Sequence, residues 1–323
     1  MIESSGGFHN GRKGVRAFRP GDMNERIYDK KKMILGDLGI LTCALLWGVS
    51  FAATKEVLKY MGPLWLLTFR FAFSFILIAA ITPKRVNNTG KRDLKVGGII
   101  GFLLLVAMAL QTIGIQYTTT GKSAFITACY VVMVPFITWA ASRRNPGLKA
   151  FVASAICLVG MGAITLDETG MGFGLGEMLT LGCALAFAVQ IVVIDRMAQD
   201  RDALTLTMIE TALSAVACVV AALIWEPLPT FWSPAVVGWM AYLVVGCTLI
   251  PYSLQIKSQQ LTSPTHASVL MIMESVFALI VGIAFLGEPM TSRLVWGCGL
   301  IFLSILITEL DVAGFTKMRR QEA

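Results

Sequence analysis

Polar residues fall in short clusters along this chain, and between the clusters lie apolar runs of about 20 residues, the length that crosses a bilayer's hydrocarbon layer as a helix. Ten such runs are visible, over 33–54, 63–82, 94–116, 121–141, 149–166, 174–194, 203–224, 234–254, 266–286 and 292–310. Lipid offers nothing to bond an exposed peptide group, so a segment in it must satisfy its own backbone. The pattern therefore predicts an all-α membrane protein of ten transmembrane helices. The polar stretch 1–32, rich in Gly, Arg and Lys, reads as a disordered cytosolic tail, and 311–323 as a second cytosolic tail. Residues 1–32 lack the apolar core of a cleavable signal peptide, and Met1, Met23 or Met33 could be the true start.

A shift of 140 residues lays Leu41, Cys43, Ala44, Leu45 and Val49 on Leu181, Cys183, Ala184, Leu185 and Val189. Each half then holds five runs. Because five is odd, the second copy enters the membrane from the opposite face, and the expected architecture is two inverted five-helix repeats, 33–166 and 174–310.

Composition narrows the class. Apolar residues make up 56% of the chain and charged ones 15%, against about 25% charged in soluble domains. The net charge of +7 does not point to nucleic acid, because the basic residues gather between the apolar runs. With the N-terminus inside, 22 Lys and Arg fall on the cytosolic side and only Lys55, Lys59, Lys122 and Arg293 on the other. That bias predicts a multi-pass protein of the cytoplasmic (inner) membrane with both termini cytosolic. Seven cysteines, all inside apolar runs and without a CxxC pair, read as reduced packing residues. Gly121-Lys122-Ser123 resembles the end of a P-loop, but Gln116 stands where that motif's first glycine belongs, so no nucleotide or other cofactor is expected.

Trp47-Gly48-Val49-Ser50-Phe51 with Lys55, then Arg70-Phe71, resemble the EamA family of the drug/metabolite transporter superfamily. Thr118 to Ala124 with Tyr130 to Pro135 continue the likeness in the first half, and Thr262-Ser263-Pro264, Glu274 to Phe277 and Leu286 to Pro289 continue it in the second. The resemblance covers residues 33 to 310. It implies a secondary carrier that moves an amino acid or another small metabolite by alternating access, with export favoured over import. One position departs from the family pattern: Ser275 stands where proline usually follows the glutamate. Serine keeps its N–H, so the ninth helix is expected to run straighter than in other members.

Ionisable groups inside a bilayer cost about 2.5–3.5 kcal/mol at a helix centre on insertion scales, and they are functional by default. Arg70, Glu210 and Glu274 are the three charged residues deep inside spans here, the others within those bounds lying near the span ends. Arg70 can grip a carboxylate or phosphate and is a candidate for substrate binding, against a packing role capping carbonyls. Glu274 and Glu210 are candidates for proton coupling or for binding a cationic group, against structural hydrogen bonding. Arg70 and Glu210 are 140 residues apart, and their expected levels differ by about 10 Å, so no salt bridge is expected between them. Trp47, Ser50, Gln111, Tyr130 and Gln190 are polar or aromatic candidates for lining a substrate path, against core filling.

The rival to a carrier is a membrane-embedded enzyme using Asp195, Asp200 and Asp202 as metal ligands, or a flippase for lipid-linked molecules. Arg196 and Arg201 interleave with those aspartates, which favours a solvated loop. Gly97 and Gly101 would allow close helix contact, within one chain or between two copies of a homodimer.

Overall fold

The computed structural model describes residues 30–87, 89–143, 145, 147–165, 174–230, 232–262, 264–286, 290–293, 295–300, 302–304 and 307. Residues 1–29 and 311–323 of the expected tails, and Glu288 and Pro289, lie outside the described residues. Among the described residues the protein is helical and contains no strand. In chain order the elements are α1 (Lys30–Val57), α2 (Pro63–Ile81), the short α3 (Pro83–Asn87), α4 (Lys91–Gly114), α5 (Thr120–Thr127), α6 (Tyr130–Ser142) and α7 (Leu148–Thr165). There follow α8 (Leu175–Met197), α9 (Ala203–Trp225), α10 (Pro234–Val244), a π-helical turn (Val245–Leu249), α11 (Ile250–Gln259), α12 (Pro264–Met271) and α13 (Met273–Leu286).

Among the described residues, seven helical stretches are long and apolar enough to cross a membrane: Lys32–Val57, Pro63–Ile81, Lys91–Gly114, Thr120–Ser142, Leu175–Met197, Ala203–Trp225 and Pro234–Gln259. Phe151–Gly160, Met273–Phe285 and Val295–Ser304 are shorter apolar helices. Outward faces carry Leu35, Phe102, Leu158, Val216 and Trp225, all exposed. A water-facing surface would not be so apolar.

Two helical stretches are interrupted. The stretch Thr120–Ser142 breaks between Thr127 and Tyr130, and the stretch 264–286 breaks at Ile272, between α12 and α13. The stretch around Ser275 is thus not one continuous helix, although it lacks the proline. Ser275 keeps its backbone N–H, but donates it to Ile272 O at 2.9 Å across a tight turn. Its hydroxyl donates to Ala124 O at 2.9 Å, which ties α13 to α5.

The α2–α9 pair shows how helix ends are satisfied. Gly62 precedes α2 and offers no side chain to cap it. The carboxylate of Glu226, just past the end of α9, accepts from Leu64 N at 2.9 Å and Trp65 N at 3.1 Å instead. At the opposite end Asp202 caps α9 by accepting from Thr205 N at 2.9 Å and also accepts from Arg85 Nε at 2.7 Å. The two helices are therefore antiparallel and clipped at both ends. Burial pushes the Asp202 carboxyl up, but the hydrogen bonds from Arg85 and Thr205 outweigh it and hold the group below the ordinary carboxylate value. A carboxyl lowered by folding stabilises the fold above its unfolded value, near 3.9, and loses that contribution as pH falls through the folded value. The clip should persist at neutral pH and fail only in strong acid. Both partners are well exposed, so Asp202→Asn, which keeps a capping oxygen, is expected to cost less than about 1 kcal/mol. A double-mutant cycle with Arg85→Ala, read by thermal unfolding in detergent, checks this, and a coupling of several kcal/mol would contradict it.

Close packing depends on small residues, as it must where lipid and side chains are equally apolar. A Cβ on Gly97 would lie 2.8 Å from Ile209 Cβ, and one on Gly101 would lie 2.7 Å from Glu210 Cα. Gly97 and Gly101 thus serve the α4–α9 contact within one chain. No disulfide links the cysteines among the described residues, and all but the half-buried Cys298 are buried.

Candidate functional site

A cavity lies among the spans. Trp47 and Ser50 of α1, Arg70 of α2, Met108 and Gln111 of α4, Thr127 of α5 and Tyr130 of α6 form part of its wall. Phe187 and Ile191 of α8, Tyr252 and Gln255 of α11, Met271 of α12 and Glu274 of α13 complete it. Four aromatic rings, one guanidinium and one carboxylate therefore face a common space.

The helix breaks explain part of this arrangement. Thr127 and Tyr130 flank the break between α5 and α6, and Met271 and Glu274 lie on either side of the break between α12 and α13. An interrupted helix brings unpaired backbone groups and the ends of two dipoles to mid-membrane, which is tolerated where they border a cavity. Glu274 sits in the first turn of α13, where the positive end of the helix favours a carboxylate. Gly48 lets α1 approach at that level, since a Cβ there would lie 2.9 Å from Glu274 O.

Arg70 is 2% exposed, and two of its donors are engaged by the protein. Its Nε donates to Thr248 Oγ1 at 2.6 Å and its Nη2 to Cys247 O at 3.0 Å. Trp47 Nε1 donates to the same carbonyl at 2.9 Å, and its ring lies 5.4 Å from that of Tyr252. Ser50 donates its hydroxyl to Trp47 O at 2.7 Å, and Gln111 Nε2 donates to Thr127 Oγ1 at 3.2 Å. Arg70 makes no direct ion pair with Glu274 or Glu210 among the described residues.

Trp47, Ser50, Arg70, Gln111, Tyr130 and Glu274 thus come together around one space. Gln190 and Glu210 are not in its wall. Gln190 is fully buried and donates from Nε2 to Ile100 O at 3.3 Å, in the seam between α8 and α4. Glu210 is 1% exposed on α9, pressed against Gly101 of α4, and its Oε1 has no hydrogen-bond partner. Met108, Thr127, Phe187, Ile191, Tyr252, Gln255 and Met271 were not singled out from the sequence. A signal for several of them was there: Gln255, Tyr252 and Met271 lie 144 residues after Gln111, Met108 and Thr127.

Of the acidic cluster, Asp202 is committed to Thr205 and Arg85, and Asp200 is exposed. Among the described residues no group of three His, Cys, Asp or Glu side chains is placed to hold a metal ion.

The sequence pattern of the EamA-like transporter family matches this chain twice, over residues 34–166 and 174–310. The chain belongs to the EamA-like transporter family. An uncharacterized transporter of Archaeoglobus fulgidus is 30% identical over 285 residues, covering 87% of this chain and 88% of its own. An S-adenosylmethionine/S-adenosylhomocysteine transporter of Chlamydia muridarum is 24% identical, over 80% of this chain and 87% of its own. One solved structure, described only as the crystal structure of a protein, shares the fold at a TM-score of 0.69 and 15% identity, covering 89% of this chain and 99% of that one. This EamA-like chain is accordingly a transporter and a multi-pass membrane protein, and its cavity is where a transported molecule would be sought.

Proposed function

We propose that the protein is a secondary carrier for a small organic solute bearing both an anionic and a cationic group, held between Arg70 and Glu274. The observation that carries this reading is the pair of opposite charges on different walls of one cavity inside the spans, with Trp47, Tyr130, Phe187 and Tyr252 around them. Such groups are costly in a bilayer unless they face a wet space or a ligand. Guanidinium suits a carboxylate or phosphate, while carboxylate and aromatic faces suit an onium or ammonium centre. S-adenosylmethionine, carried by the chlamydial relatives named for it, combines an amino-acid end with a sulfonium and is the first compound to try.

The architecture proposed is ten transmembrane helices in two inverted halves, 33–166 and 174–310, with both termini cytosolic. The seven long and three shorter apolar helices support that number. Inversion is supported by the packing. The partners α2 and α9 are antiparallel, and α5 packs on α13 while α6 packs on α12. Likewise α4 packs on α8 and α9, as α10 and α11 between them pack on α1 and α2. The cavity wall repeats the theme, pairing Trp47 with Phe187 at a spacing of 140, and Tyr130 with Glu274 at 144. A chamber between two such halves can open to either side by rocking. Export is the direction we favour, and Glu274 is the group proposed to link flux to protons.

Purified protein in sealed vesicles, given labelled S-adenosylmethionine and the metabolites that shift between cells with and without the protein, tests the reading. We expect chemically unchanged compound to cross the bilayer. Conversion of a compound in detergent without a gradient would instead establish an enzyme, and transfer of a labelled lipid between leaflets a flippase.

A further inference from the structure

The helical stretch from Pro234 to Gln259 changes pitch at the π-helical turn Val245–Leu249, two residues before Pro251. Proline has no N–H, so the carbonyl four residues earlier, that of Cys247, receives no α-helical bond from position 251. Donors from α1 and α2 take it: Trp47 Nε1 at 2.9 Å and Arg70 Nη2 at 3.0 Å. The next residue, Thr248, accepts from Arg70 Nε at 2.6 Å while giving its own hydroxyl proton to Leu243 O at 2.8 Å. The hydroxyl is thereby oriented with its lone pairs toward the guanidinium. Two of the five N–H donors of Arg70 are spent on this turn.

We propose that the π turn is a positioning device for the anion-binding end of the cavity. Pro251 releases the Cys247 carbonyl, and that carbonyl, with the Thr248 hydroxyl, fixes the angle at which Arg70 presents its remaining donors and Trp47 presents its ring. Pro251 and Thr248 are positioning residues, since they act through Arg70 and Trp47. Pre-arranged donors lose less freedom when a ligand binds, so the device raises affinity for an anionic group. Its consequence for substrate rests on the carrier reading above, whereas its geometry can be tested without any substrate.

The substrate-free test is the emission of Trp47, isolated by subtracting the spectrum of the Trp47→Phe protein in each background. In Pro251→Ala the restored N–H competes for the Cys247 carbonyl, and Trp47 emission is expected to move to shorter wavelength as the indole loses its acceptor. An unchanged Trp47 spectrum in folded Pro251→Ala overturns the role of the proline. For Arg70, Thr248→Val removes the hydroxyl at nearly constant shape, and Thr248→Ser keeps it. With S-adenosylmethionine as the probe, Thr248→Val is expected to raise KM about tenfold, the scale of a lost charged hydrogen bond, with Vmax within about twofold. Thr248→Ser should return KM close to wild type. Equal KM in all three proteins overturns the role of Thr248, and if Pro251→Ala does not fold, this pair decides the proposal. If the wild type does not move S-adenosylmethionine, that choice of substrate fails by itself and the emission result still judges the geometry.

Discussion

Glu274→Gln is expected to stop net, gradient-driven flux, lowering the initial rate by about 30-fold or more, while the protein stays folded. The carboxylate faces the cavity from the first turn of α13, where the helix dipole favours its charge. Glutamine keeps the shape and removes the charge. Losing one member of a buried charged contact costs about 2–5 kcal/mol, and each 1.4 kcal/mol is a factor of ten, which sets the size of the effect. The two roles proposed for Glu274 separate in a second measurement. If it carries the coupling proton, glutamine mimics the protonated state, so exchange of labelled for unlabelled substrate survives and the pH dependence of flux flattens. If it binds the cationic group of the substrate, exchange is lost together with net flux. Glu274→Asp, one methylene shorter, should retain part of the activity in either case. Wild-type rates with an unaltered pH response in Glu274→Gln would remove the residue from the mechanism.

How far the sequence could be read is clear from particular elements. Run length and polarity marked the seven stretches that are long, apolar helices among the described residues, because a 20-residue apolar run has few other uses. The two helix breaks were not legible. Neither Ala128-Cys129 nor Ile272 is a residue type that ends helices, and Pro135 lies within α6 without interrupting it. The breaks go with tertiary packing: α5 crosses α13, and the Ser275 hydroxyl bonds to Ala124 O across the crossing. Charges in the spans drew attention to Arg70 and Glu274, both in the cavity wall, but also to Glu210, which is not. The difference is rotational. Each residue turns a helix by about 100°, so an uncertainty of one or two positions decides whether a side chain meets a cavity or a neighbouring helix. Gln190 shows the same ambiguity, since its amide bonds to the Ile100 carbonyl in a seam. Met108, Phe187 and Met271 carried no signal by residue type, because apolar side chains in a span face lipid, core and cavity alike.

Gly48→Ala is expected to be the most damaging single-methyl change, and two glycines of α4 supply its controls. A Cβ at Gly48 would lie 2.5 Å from Phe277 Cβ, 2.9 Å from Ala278 N and 2.9 Å from Glu274 O. Two of these three atoms are backbone, so no rotamer change relieves the clash and α1 must move away from α13. Overpacking of this kind costs about 1–3 kcal/mol, partly offset by the better helix propensity of alanine, about 1 kcal/mol. Gly98→Ala has open space around its Cβ, so only the propensity gain applies and thermal stability should rise slightly or stay level. Gly101→Ala meets Glu210 Cα at 2.7 Å and should resemble Gly48→Ala in its loss of stability. The functional outcome divides the two, because Gly48 faces the helix that carries Glu274 whereas Gly101 faces Glu210 behind the cavity wall. Flux per folded molecule should therefore fall in Gly48→Ala by more than its change in Tm accounts for, and stay near wild type in folded Gly101→Ala. Equal specific flux in the two variants would mean that the α1–α13 contact holds the fold without setting the position of the carboxylate.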